Sequence, residues 1–148
     1  MKRVVTIPVL LLMLLFLLSC GDKVNDKAYV SSLASKVEHS IGNRIAGFSR
    51  VIVIPRRGCT GAIAEAMHYF RYGEDRENVL FVFTYNLDSV GIKNDIGDER
   101  LYNASNVFID WENSFLIPSA PERVFPYEFI INKNCHLVDG RRWEIHID

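Results

Sequence analysis

The stretch with the most chemical content is Val51–Ala66. A β-branched apolar run, Val51-Ile52-Val53-Ile54, ends at Pro55. Arg56-Arg57-Gly58 and Cys59-Thr60-Gly61-Ala62 follow, and a helical pattern then begins. That order puts a cysteine where a strand ends and a helix starts. Ligands and reactive groups of open α/β sheets collect at that edge. A helix N-terminus carries roughly half a positive charge, which favours a thiolate, and Arg56 and Arg57 lie close by in sequence. Thiolate is the nucleophilic form, so Cys59 is a candidate nucleophile, with Arg57 and Thr60 as companion site residues. Such a thiol attacks peroxide or forms mixed disulfides with a partner thiol. A blander reading stands beside this one: Cys59 is a small residue filling a helix N-cap in a decayed site. Gly58 and Gly61 read either as loop geometry or as room for a substrate, and Glu65 either as a surface carboxylate or as a proton-transfer group.

The histidines, His39, His68, His136 and His146, share no metal-ligand spacing with one another or with Cys59 and Cys135. No metal and no cofactor is therefore expected. His68 falls on the polar side of the helical stretch after Cys59 and is expected to be exposed.

The elements that must position Cys59 follow from periodicity. Ala62, Ile63, Ala66, Met67 and Phe70 give Thr60–Tyr72 one apolar helical face, with Gly73 placed to end it. Val79-Leu80-Phe81-Val82-Phe83 is a second continuous apolar run. Continuous rather than alternating apolarity marks strands buried on both faces, as in a parallel sheet covered by helices. Strand, helix and strand over about 35 residues make a βαβ unit. Upstream, Val30, Leu33, Ala34, Val37 and Ile41 predict a helix from Lys27 to about Asn43, with Asp26 as its N-cap. Downstream, Leu87–Ile96 predicts a short helix, Asn106–Asp110 a third strand, and Tyr127–Ile131 a fourth, introduced by Pro126. His136-Leu137-Val138 should return antiparallel. Asp139-Gly140 reads as a further turn, before a half-buried last strand carrying Trp143, Ile145 and Ile147.

The first residues differ from the rest. Lys2 and Arg3 precede an apolar run from Val4 to Leu18, broken only by Thr6 and Pro8. This is the layout of a secretory signal. Fifteen residues are marginal for a span, which needs about 17–25. The run closes in Leu17-Leu18-Ser19-Cys20-Gly21, which resembles the bacterial lipobox. The resemblance implies cleavage before Cys20, with diacylglycerol on its thiol. A plain signal peptide, or an uncleaved anchor helix with an incidental cysteine, are the alternatives. The expected division is 1–19 signal peptide, 20–26 tether and 27–148 folded domain. Of 17 basic and 18 acidic residues, losing Lys2 and Arg3 leaves a net charge of about −3, with no electrostatic footprint for nucleic acid. The expected setting is the cell envelope, facing the periplasm and held to a membrane by lipid on Cys20. Gly21 after the cysteine favours the outer over the inner membrane.

From Arg50 to Val138 the chain resembles the thioredoxin-like superfamily, closest in layout to envelope-tethered thiol–disulfide and peroxiredoxin-like proteins. Three segments carry the resemblance: Val51–Ala66, Asn78–Thr84, and Val124-Phe125-Pro126-Tyr127-Glu128-Phe129-Ile130-Ile131-Asn132-Lys133-Asn134. Asn106–Phe115 resembles the extra strand of the envelope branch. The fold implied is an α/β three-layer sandwich with a mixed sheet. Pro126 would be cis and packed beside Cys59. The chain departs from the family at Ala62, where the second motif cysteine is missing, so a two-cysteine cycle is ruled out. Cys135 is a poor replacement. It lies nine residues past Pro126, up to roughly 30 Å along a strand, and a disulfide needs Cα atoms within about 7 Å. Three functions remain: a single-cysteine redox lipoprotein served by an external thiol, a non-catalytic module that binds an envelope partner, or a small-molecule binder at the sheet edge beside Pro126.

Overall fold

The computed structural model describes residues 26–84, 89–115, 117, 120 and 124–144. Helix α1 spans Asp26–Ile41 and runs into a 3-10 turn at Gly42–Ile45. Strand β1 (Arg50–Pro55), helix α2 (Thr60–Tyr72) and strand β2 (Val79–Thr84) follow. Helices α3 (Ser89–Ile96) and α4 (Glu99–Tyr102) lead to strand β3 (Val107–Ile109). Strands β4 (Tyr127–Ile131) and β5 (Leu137–Arg142) end the described chain.

The five strands form one mixed sheet in the order β3-β2-β1-β4-β5. β1 pairs parallel with β2, and β2 with β3; β4 runs antiparallel to β1, and β5 to β4. Side chains alternate along each strand, and both faces are covered. Val51, Val53, Leu80 and Val82 face one core with Tyr29, Leu33, Val37 and Ile41 of α1. Ile52, Ile54, Phe81 and Phe83 face the other with Ala66 and Phe70 of α2 and Ile92 and Ile96 of α3. The architecture is therefore mixed α/β with helices on both sides of the sheet. Continuous apolar runs at β1 and β2 are what two buried faces require. Each fully buried aliphatic or aromatic side chain contributes about 1.5–3 kcal/mol. The apolar stripe of α1 includes Tyr29, whose ring lies 5.4 Å from that of Tyr127. Val30 and Ala34 are only partly buried against this core.

The C-terminal hairpin departs from the sequence expectation. Asp139-Gly140 does not turn the chain; β5 continues through it as one strand. Glu128 pairs with Arg141 and Ile130 with Val138, so two residues oppose Phe129 in a bulge. Asp139 takes a left-handed φ of 51° there. A turn and a bulge both select such backbone, which is why the dipeptide is ambiguous. Gly140 is needed for proximity: a Cβ would stand 2.5 Å from Val30 Cγ1 and 2.6 Å from Phe129 Cε1. Trp143 follows the strand, buried, its ring 5.8 Å from that of Tyr69. Ile145 and Ile147 lie outside the described residues.

Candidate functional site

Cys59 is the N-cap of α2, with φ −71° and ψ 101°. Its carbonyl accepts the first helical bond, from the N–H of Ile63 at 3.0 Å. Its side chain makes no capping hydrogen bond and is partly exposed. The strand-to-helix junction predicted from sequence is thus present, at the end of β1 where the parallel strands terminate.

The backbone of this loop rests on the segment leading into β4. Cys59 N–H donates to the Val124 carbonyl at 2.9 Å. Gly58 has φ 141°, and a Cβ there would stand 1.9 Å from that same oxygen. Only glycine fits, both for its backbone conformation and for the close approach. The Cys59 loop is therefore joined to the chain just before Pro126, which is buried. The cis geometry implied by the family resemblance is not adopted, because all described peptide bonds, that before Pro126 included, are trans. The carbonyl that meets Cys59 belongs to Val124, two residues before the proline. The approach thus needs no cis bond, and trans remains the favoured isomer of an X–Pro amide.

The companion residues divide. Thr60 and Arg57 are exposed beside Cys59. Arg56 turns to α3: its Nε donates to Asp95 Oδ2 at 2.8 Å. Its guanidinium lies over Gly91, where a Cβ would stand 2.1 Å from Nη2. Its guanidinium is thus paired with a carboxylate of α3. Between α2 and α3 a cleft of about 530 Å³ opens next to Thr60, with Ile63, Met67 and Ile92 in its wall and Arg56 and Asp95 at its rim. Glu65 and His68 are exposed on α2, and the His68 ring lies tilted against that of Tyr72, 5.0 Å away.

Cys135 is an exposed free thiol in the β4–β5 turn, at φ 59°. Ile130 pairs with Arg50 at the start of β1, whereas Cys59 follows the end of β1. The two thiols sit at opposite ends of the sheet. Cys20 and the apolar run before it lie outside the described residues. Among the described residues no helix is long and apolar enough to cross a membrane, and no group of three His, Cys, Asp or Glu is placed to hold a metal ion.

Two buried carboxylates escaped the sequence reading. Asp110, after β3, accepts from Thr84 Oγ1 at 3.3 Å and from the backbone N–H groups of Ser114 and Phe115 at 2.8 and 3.0 Å. It anchors the turn that carries Phe115 into the core. Glu128, on β4, accepts from Arg50 Nη1 at 2.7 Å and from Arg141 Nε and Nη2 at 2.9 and 2.8 Å. Burial pushes its carboxyl up, but the bonds from Arg50 and Arg141, with their charges, outweigh this and hold it below the usual value. Arg50 continues to Asp75 and Tyr69, and the Tyr69 hydroxyl donates to Asp75. That bond lowers the Asp75 carboxyl. Burial and the same bond raise the Tyr69 phenol. Glu128 shows no sequence signal, since Arg50 lies 78 positions away; Asp110 has local partners in Ser114 and Phe115, but only the packing of Phe115 buries it.

The site thus consists of a partly exposed thiol at a helix N-cap, seated on the chain that enters β4, beside an apolar cleft with a charged rim. Comparison with protein-family models, with curated proteins and with solved structures finds no match to this chain.

Proposed function

We propose that the chain is a lipid-anchored protein of the bacterial cell envelope, with a thioredoxin-like domain that exchanges disulfides through Cys59 alone. The observation that carries this reading is the bond from Cys59 N–H to the Val124 carbonyl, which seats a partly exposed thiol at a helix N-cap against the segment before Pro126. The strand order, with two antiparallel strands beside the β1–α2–β2 unit, is compatible with that fold. Leu17-Leu18-Ser19-Cys20 after the apolar run supports the anchor, and Gly21 supports the outer membrane.

The chemistry follows from one sulfur. The Cys59 thiolate attacks a partner's disulfide; a mixed disulfide forms, and the partner's second sulfur leaves as thiolate. Ala62 supplies no resolving thiol. An external thiol therefore attacks the Cys59 sulfur and frees the partner's other thiolate. A second external thiol then regenerates Cys59 and departs as an external disulfide. The balance is one partner disulfide reduced and two external thiols oxidised.

The test is site-resolved iodoacetamide labelling of the folded full chain at neutral pH. Cys59 should react faster than Cys135 although Cys135 is the more exposed, and Cys59→Ser should remove the fast phase. Labelling slower than at Cys135 overturns the redox reading. For the anchor, mass spectrometry of the N-terminal peptide should find acyl chains on Cys20, and Cys20→Ala should abolish membrane fractionation.

A second reading, a non-catalytic module for an envelope partner on the same scaffold, is favoured by Ala62 and by the trans bond before Pro126. It predicts that Cys59→Ser leaves cellular function intact and that a pull-down recovers a stable partner.

A further inference from the structure

A second cleft, of about 620 Å³, lies at the C-terminal end of α2, where Arg71, Tyr72, Arg76 and Arg100 converge with Asp98. Three guanidiniums share it with one carboxylate. Asp98 is already engaged, taking the Arg100 backbone N–H at 2.8 Å and its Nη2 at 3.2 Å. Arg71 and Arg76 are half-buried. Arg71 donates through Nε to the Ile96 carbonyl at 3.3 Å and through Nη2 to the Asp95 carbonyl. Arg76 Nη1 donates to the Arg71 carbonyl. Among the described residues no carboxylate lies within ion-pair distance of either guanidinium.

A carbonyl satisfies an N–H but leaves the net charge in place, and a charge withdrawn from water is costly unless it is paired. The Arg71 bonds clamp α2 to α3, which is a structural role in itself, and the Arg76 bond ties that residue to the end of α2. They also hold the guanidiniums in fixed positions, and each has five N–H donors, most of them beyond these bonds. Planar forks of this kind match the oxygens of a phosphate in pairs. Tyr72, 69% exposed, stands beside the forks as a ring on which the rest of a ligand can lie. The cleft is of the size that takes a small organic ligand. We propose that it is an anion site for a phosphate-bearing ligand, with the phosphate held by Arg71, Arg76 and Arg100. The thirteen residues of α2 put that end of the helix about 20 Å from Cys59, although Arg71 also lines the cleft beside Thr60.

The shared chemistry has two sources, a soluble phosphate ester and a phospholipid headgroup. The experiment uses the full chain in neutral detergent at constant ionic strength, following the Arg Nε–Hε resonances by NMR. One arm titrates inorganic phosphate; the other dopes the micelles with phosphatidylglycerol in the absence of phosphate. Saturable shifts of Arg71 and Arg76 are expected, in the first arm for a soluble ligand and in the second for a headgroup. Arg100→Gln, at an exposed position, should weaken the response about tenfold without unfolding the chain. Arg76→Gln serves as the second variant, with its folding checked by circular dichroism. Linear, unsaturated drift in both arms, or saturation unchanged in folded Arg100→Gln and Arg76→Gln, overturns the proposal.

Discussion

The Val124 carbonyl oxygen occupies the space that a side chain at Gly58 would fill, 1.9 Å from where its Cβ would stand. The same oxygen receives the Cys59 N–H at 2.9 Å. One atom therefore dictates the residue before the thiol and fixes the thiol's backbone. Gly58→Ala must lose either its left-handed φ or this contact. It should destabilise the protein by about 1–3 kcal/mol, read as a lower urea midpoint. It should also change the Cys59 alkylation rate while leaving that of Cys135 alone.

Glu128 is nearly enclosed, with 4% of its side chain exposed, whereas Arg141 keeps 55%. Removing Glu128 takes a charge-assisted bond from Arg50, which keeps Asp75, and two from Arg141; removing Arg141 leaves the buried carboxylate with Arg50. Glu128→Ala should cost about 1.5–3 kcal/mol. Arg141→Ala should cost about 1 kcal/mol or less, because water already screens that ion and Arg50 remains on the carboxylate. Comparable losses in the two variants, measured by urea denaturation, would contradict this account.

Acid should expose the same network. The folded-state carboxyls of Glu128 and Asp75 titrate below their ordinary values of 4.5 and 3.8. A depressed carboxyl contributes stability that is complete above its unfolded value and is lost as pH falls through the folded one. Stability should stay flat from neutrality to about pH 5, then fall progressively below 4.5. The Tyr69 phenol, raised from 10.0, works in the opposite direction: its contribution holds below pH 10 and is lost in stronger alkali. Thermal unfolding followed across pH checks both limbs. In Glu128→Gln the acid limb should flatten.

The β5 bulge brings Gly140 against Val30 of α1, where a Cβ would stand 2.5 Å from Cγ1. Gly140→Ala overpacks that contact and should cost about 1–3 kcal/mol. The double variant with Val30→Ala should recover part of the loss, since contacting sites couple. Strict additivity of the two free-energy changes would mean that the helix and the bulge do not meet there.

Much of the scaffold was legible because its signals are local. Val51–Ile54 and Val79–Phe83 are apolar on both strand faces, and Phe70 with Ala66 marks the inward side of the intervening helix. Pro55 and the glycines then place Cys59 between them. The C-terminal hairpin was less legible. Asp139-Gly140 suits a bulge as well as a turn, and the choice depends on what opposes it across the ladder. Tyr29 escaped the α1 stripe because its polar tip disguised a buried ring. Nothing near Glu128 in sequence announces a buried charge; Arg50 becomes its partner only once β1 and β4 are in register.

The sequence by itself determined the βαβ unit and the junction at Cys59, because each is a property of neighbouring residues. Only the tertiary structure decided that Val124 seats the cysteine, that Arg56 pairs with Asp95, and that Arg71, Arg76 and Arg100 share a cleft. Those relationships depend on strand register and helix docking, which bring together residues tens of positions apart, and no local pattern encodes which charge will find which partner.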